Sequence, residues 1–173
     1  MSVLNVVLYP DDPLTRKAEP FATVGPEVAQ LAQDMIETMH AHDGVGLAGP
    51  QVGLAKRIFV MQAPDGEPMC LINPEIVAME GRQEGEEGCL SMPRVYSDRV
   101  PRATRVEVKA LDETGAPIHF EAHDFVARII QHEYDHLEGV LFPDRLDIIS
   151  RQTVLQEWET VRAELANATE PTG

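Results

Sequence analysis

Three observations assign the chain to the α+β class. A helical pattern comes first, several strand patterns follow without intervening helices, and two more helices close the sequence. The expectation is one domain over residues 1–173, with mixed or antiparallel β-sheets packed around a central helix that carries His-Glu-x-x-His. An N-terminal and a C-terminal helix flank that centre, and residues 166–173 are expected to fray.

The first helix is "GPEVAQLAQDMIETMHAH", where Val28, Leu31, Met35 and Met39 recur at helical spacing and Pro26 stands near the start. It should stop at "DGVG", where glycine can adopt backbone conformations closed to other residues. "RIFVMQ" and "MCLINPEIV" are rich in strand formers and are separated by the turn-like "APDGEP". "RVEVKAL" buries Val106, Val108 and Ala110 on one face, "DETGAP" turns, and "IHFEA" returns, so residues 105–122 read as a hairpin. "HDFVARIIQHEYDHLEG" is the central helix, with Asp124 as its cap and Gly139 at its exit. A last helix covers about residues 147–166.

Composition narrows the function. A formal net charge of −15 repels phosphate backbones, which disfavours nucleic-acid binding. No apolar run reaches the roughly 20 residues needed to cross a bilayer, so no membrane contact is expected. The start "MSVLNVVLYPDDPL" lacks the basic region of a signal peptide, making the cytoplasm the expected location. Two cysteines in such a chain are expected to stay reduced, which leaves thiols free to bind metal.

"QHEYDHLEGV", residues 131–140, puts His132 and His136 on one helical face with Glu133 beside the first. That pattern points to a metal-dependent hydrolase. Its helix is otherwise apolar through Val126, Ile129, Ile130 and Leu137, where unsatisfied imidazoles and a carboxyl would be costly. A third ligand is needed. The position six residues after His136 is Phe142, which cannot bind metal, so the three-histidine pattern fails. Spacing leaves Glu157 and Glu159 open. Upstream, "EGEEGCLSMP" sets Cys89 in a glycine-rich and acidic stretch, where a thiolate would suit zinc or ferrous iron. Cys70, in "MCLINP", reads as a small buried hydrophobe. "GVGLAGPQVG", residues 44–53, holds four glycines and Gln51 as its polar side chain; alone it reads as a tight turn. His40 and His42 sit at a helix end and His119 and His123 at a strand end, and none reads as a ligand.

"GVGLAGPQ", "EGCLS" and "QHEYDH", in this order, resemble the three signature motifs of peptide deformylase, a family with an α+β fold that removes the formyl group from N-terminal methionine. "LYPDDPL" and "RVPRATRVEVKALDETG" extend the resemblance over about residues 4–147. It implies Cys89, His132 and His136 as ligands of one divalent metal, ferrous iron with zinc, nickel or cobalt as substitutes. It further implies Glu133 as the acid/base, Gln51 and the Leu90 N–H as donors to the carbonyl oxygen, and Gly46 beside the substrate. Val45, Phe125 and Ile129 are the expected walls of a methionine slot. Nascent formylmethionyl peptides are the implied partners, with transient ribosome contact. Two departures stand out. Gly49 replaces a more usual alanine, which should loosen the turn, and "RVYSDR" is one residue longer than is common. The rivals are a zinc endopeptidase using a C-terminal glutamate, and a metal-stabilised module that binds peptide ends without cutting them.

Overall fold

Apolar alternation builds the larger of two sheets. The computed structural model describes residues 2–169, so the tail residues 170–173 lie outside it. Strands β1 (Gly46–Ala48), β2 (Ile58–Gln62), β3 (Pro68–Glu80), β6 (Arg105–Leu111) and β7 (Pro117–His123) form a five-stranded sheet in the order β1-β2-β3-β6-β7. Every neighbouring pair is antiparallel, which settles the mixed-or-antiparallel expectation. The hairpin expected over 105–122 is present, with Val108 opposite Phe120. Its turn is held by Asp112 Oδ1, which accepts from the Thr114 and Ala116 amides.

The second sheet was not legible as strand. β4 (Gln83–Cys89) and β5 (Met92–Arg102) pair antiparallel through the glycine-rich and acidic stretch around Cys89. "QEGEEGC" contains no β-branched or aromatic residue, so propensity argues against it. Between the pairs Gly85–Val100 and Glu87–Ser97, β5 carries one residue more than β4. The stretch "RVYSDR" thus carries a bulge.

Helix α1 (Pro26–Ala41) buries Val28, Met35 and Met39 against β2 and β3 residues such as Ile58 and Ile72. It is Asp43, at φ 54°, that takes the left-handed conformation after this helix, not a glycine. Helix α2 (Asp124–Leu137) is buried nearly all round, with Ala127 and Ile130 against Phe59, Val106 and Val108. Asp124 does not cap it: the residue lies inside the first turn at φ 51°, and the N-cap position belongs to His123, with no side-chain bond. Gly139 does mark the exit, at φ 76°, and a Cβ there would stand 2.9 Å from the Arg16 nitrogen. Helix α3 (Ile148–Thr169) runs three residues past its expected end. It seats Val154 and Trp158 against Met92, Val100 and Phe142.

An N-terminal strap ties these parts together. Leu4 N donates to Thr38 Oγ1 on α1 at 2.8 Å, Val7 N to the Gln51 carbonyl at 2.7 Å, and Tyr9 N to the Ser91 carbonyl at 2.9 Å. Trp158 Nε1 on α3 donates back to the Tyr9 carbonyl at 3.0 Å.

Candidate metal centre

The glycine-rich stretch of residues 44–53 is a short edge strand, β1, followed by a 3-10 helix over Gly49–Val52. That turn brings Gln51 inward, where its Oε1 accepts from the Ala48 amide at 2.9 Å. Its Nε2 is thereby aimed at Ser91 Oγ, 3.2 Å away, and at Cys89 Sγ, 3.4 Å away. Gly46 lies against α2, where a Cβ would stand 2.8 Å from Glu133 Oε1. Only glycine leaves room for that carboxyl. Gly49 does not loosen the turn as expected; a Cβ there would meet the Lys56 carbonyl at 2.7 Å, so the missing methyl lets two segments close together.

Cys89 ends β4, and His132 and His136 face it from α2. One ligand atom from each lies within 4.8 Å of the others, the only such trio among the described residues. Cys89 Sγ and His136 Nε2 are 3.4 Å apart. Bonds of about 2.3 Å to sulfur and 2.0–2.1 Å to nitrogen, meeting at a tetrahedral angle, set those atoms about 3.5 Å apart. The donor set fits a metal ion in both type and spacing. Phe142, which failed as a ligand, stacks on the His132 ring with an interplanar angle of 22°. Glu157 and Glu159 are exposed on α3, outside the trio.

Sequence reasoning missed what orients His132. Its Nδ1 lies 2.7 Å from Glu87 Oε1, which leaves Nε2 free to face Cys89. Burial alone would raise the Glu87 pKa, but hydrogen bonds from Arg102 and His132 overcome it and bring the value down to about 2. Glu87 is therefore an anion, and His132 donates to it from Nδ1. Arg102 forks onto Glu87 with two contacts of 2.8 Å and reaches Asp135 at 2.5 Å. Arg128 adds a bond of 2.6 Å to Glu87. Gly85 makes space for it, since a Cβ there would lie 3.0 Å from the guanidinium. These four charges are all buried. The sequence signal for Glu87 was the acidic pair before Gly88, but it becomes readable only once β4 is known to be a strand.

Glu133 is fully enclosed, and burial pushes its pKa up to about 7. Its Oε1 lies 3.9 Å from His132 Nε2, and its Oε2 has no protein partner. A buried carboxyl with one free oxygen beside three convergent donors is suited to moving a proton at neutral pH. Burial also drives the His136 pKa well below its ordinary value, with the nearby His132 adding to the effect.

A cavity of about 770 Å³ opens onto this group. The structure brings Val45, Gly46, Gln51, Leu90, Phe125 and Ile129 to its lining, along with Cys89, His132 and Glu133. Other candidates lie elsewhere. Cys70 is buried between α1 and the large sheet, and burial raises its thiol pKa to about 12. His40 meets Gln62 at 2.6 Å, His42 the Thr38 carbonyl at 3.0 Å, His119 Glu107 at 3.3 Å and His123 Glu121 at 3.6 Å.

Residues 3–152 match the family model described as polypeptide deformylase. The chain is 46% identical over 162 residues to a peptide deformylase of Chromohalobacter salexigens, covering 92% of this chain and 95% of that one. A peptide deformylase of Nitrosococcus oceani is 43% identical over 161 residues, covering 92% and 96%. Among solved structures, the peptide deformylase of Thermus thermophilus superposes with a TM-score of 0.87 at 44% identity, covering 95% and 96%. That of Ehrlichia chaffeensis in complex with actinonin gives 0.87 at 38% identity, covering 92% and 98%.

Proposed function

The chain belongs to the polypeptide deformylase family, and from that premise we propose that it hydrolyses the formyl group from the N-terminal formylmethionine of new proteins. The observation that carries the reading is the meeting of Cys89, His132 and His136 beside the Gln51 amide and the half-satisfied Glu133 carboxyl. Cys89, His132 and His136 would hold one divalent metal, ferrous iron in this reading, with zinc, nickel or cobalt able to substitute. When bound, the metal supplies Lewis acidity, polarising the formyl oxygen and lowering the pKa of water towards about 7.

The protein's own groups do the rest. Glu133 accepts the proton of the attacking water and later delivers it to the leaving amine. Water's oxygen bonds to the formyl carbon, the C–N bond breaks, and formate and a free amino terminus leave. Gln51 Nε2 and the Leu90 N–H donate to the oxygen that gains charge; one such donor is typically worth roughly 2.7–4 kcal/mol. Gly46 brings backbone close to the substrate, while Val45, Phe125 and Ile129 take the methionine side chain. A formyl carbon carries hydrogen where an internal amide carries a substituted carbon, so a cramped site favours the former.

Both rivals fare worse. The endopeptidase needs a glutamate from α3, and both candidates there are exposed. The binding module leaves the buried Glu133 without a task. A formyl-Met peptide assay separates the three. Release of formate with internal bonds intact is expected, and Cys89→Ser should lose most activity and metal while Glu157→Ala keeps both. Internal cleavage, or loss of metal in Glu157→Ala, would overturn the reading. For the metal, protein loaded anaerobically with ferrous iron should turn over faster than zinc-loaded protein at equal occupancy. Equal rates would remove the case for iron. No helix among the described residues is long and apolar enough to cross a membrane, and a cytoplasmic setting with nascent chains as substrates accords with the proposal.

A further inference from the structure

His132 is braced from two sides, and both braces lead to one short element. The 3-10 helix Phe142–Arg145 stacks Phe142 on the His132 ring and ends at Arg145. Arg145 reaches Asp135 on α2, with Nη2 2.6 Å from Oδ1 and Nε 3.0 Å from Oδ2. Its side chain is 47% exposed, while those of Asp135, Arg102 and Glu87 are only 3–5% exposed. Arg145 is thus the solvent-facing end of a chain of ion pairs that runs through Asp135, Arg102 and Glu87 to His132 Nδ1. Arg145, Asp135 and Arg102 line a second cavity, of about 600 Å³, that none of the metal ligands line.

Arg102 stands between two buried carboxylates. Its Nε and Nη2 fork onto Glu87, and its remaining nitrogen, Nη1, goes to Asp135 Oδ2. A planar guanidinium matches a carboxylate best when it meets both oxygens at once, so two acids compete for one fork. Arg145 settles the competition. By taking both oxygens of Asp135 it satisfies that group, and Arg102 keeps its fork for Glu87. Without Arg145, Asp135 Oδ1 would lose its donor, a costly state for a buried carboxylate. A turn of Arg102 towards Asp135 would relieve it, at the expense of the grip on Glu87 and hence of the oxygen that orients His132.

We infer that Arg145 is a positioning residue for the metal centre: by holding Asp135 it keeps the Arg102 fork on Glu87 and so fixes the ring of His132. The inference rests on Cys89, His132 and His136 binding a metal, and adds to it a residue that tunes that binding without touching the ion or the substrate.

The test measures zinc affinity of the whole protein by competition with a chelator. It also records the visible absorption bands of the cobalt-loaded protein, which report the arrangement of the ligands. Arg145→Ala should shift those bands and weaken zinc binding about three- to ten-fold, less than the 10- to 100-fold typical of a partner that touches the ligand itself. Arg145→Lys keeps the charge but has no fork for both oxygens, and should fall between Arg145→Ala and the wild type. Arg151→Ala removes another half-exposed arginine, one paired with Asp144 of the same 3-10 helix, and should change neither readout. In a Glu87→Gln background Arg145→Ala should have little further effect, because its route to His132 is already broken. Should the alanine variant not fold, Arg145→Lys serves for both comparisons. Wild-type affinity and bands in the Arg145 variants would overturn the inference. So would a loss of affinity of the same size with and without Glu87, the mark of an effect through Phe142 or on the fold at large. Wild-type protein that binds no zinc would overturn the metal reading, and the inference with it.

Discussion

Glu87 is where most of the buried charge converges, and it touches His132 at Nδ1. A carboxylate behind a ligating imidazole fixes the ring's tautomer and raises its basicity. Replacing Glu87 by Gln should weaken metal binding about 10- to 100-fold by competition with a chelator; unchanged affinity would show that Phe142 alone orients the ring. Cys70 offers a cleaner test of burial, because it lies apart from the metal trio. Its pKa in the folded protein is about 12, above the ordinary 9.0, so the folded state holds the thiol proton more tightly. The resulting stability is fully present below pH 9 and is lost as pH rises towards 12. Between pH 8 and 10.5 the wild type should lose about 2 kcal/mol relative to Cys70→Ala in urea unfolding. Parallel curves for the two proteins would contradict it. At this scale the sequence was informative: the chemistry of His132, Glu133, His136 and Cys89 is carried by residue type and spacing. Glu87 and Arg102 were not legible, because a buried ion cluster depends on partners 15 to 45 positions apart.

Among elements, the helices and the large sheet could be read because their apolar residues recur at 3.6 or 2. The β4–β5 hairpin could not, since its inward positions include Glu87 and Arg102, residues that a hydrophobicity pattern counts as outward. Its strand character comes from pairing and from the ion cluster it encloses. Such a cluster contributes less to stability than to geometry, so α3, rather than the cluster, is the element expected to hold this end of the molecule. Trp158→Ala removes the largest fully buried side chain and its bond to the Tyr9 carbonyl. The expected loss is about 3–5 kcal/mol in denaturant unfolding. A loss below about 1 kcal/mol would mean that α3 is an appendage.

On the scale of the whole molecule, charge decides what the surface can meet. With −15 in total, the protein has few basic residues to spare. The two arginines near the start and middle of α3 already face acids: Arg151 lies 3.2 Å from Asp144, and Arg162 lies 3.5 Å from Asp11. Arg94 is likewise paired with Glu164 at 2.7 Å. A helix whose cations are engaged by its own body is a poor anchor on ribosomal RNA. Cosedimentation with ribosomes at physiological salt should be weak and little altered by deleting residues 151–173; strong, salt-sensitive binding lost on that deletion would contradict this.

The strap from Leu4 to Tyr9 bears on the order in which this protein is made. It is synthesised before Gln51 and Ser91, to which it bonds, and its own cover, Trp158, is synthesised after both. Chains emerge from the ribosome N-terminus first. Until α3 is made, therefore, the segment behind Gln51 and Ser91 lacks the helix that pins it. The site matures only as α3 is added through Trp158, and a chain stopped before residue 158 would hold Cys89, His132 and His136 in sequence while lacking the brace behind Gln51 and Ser91.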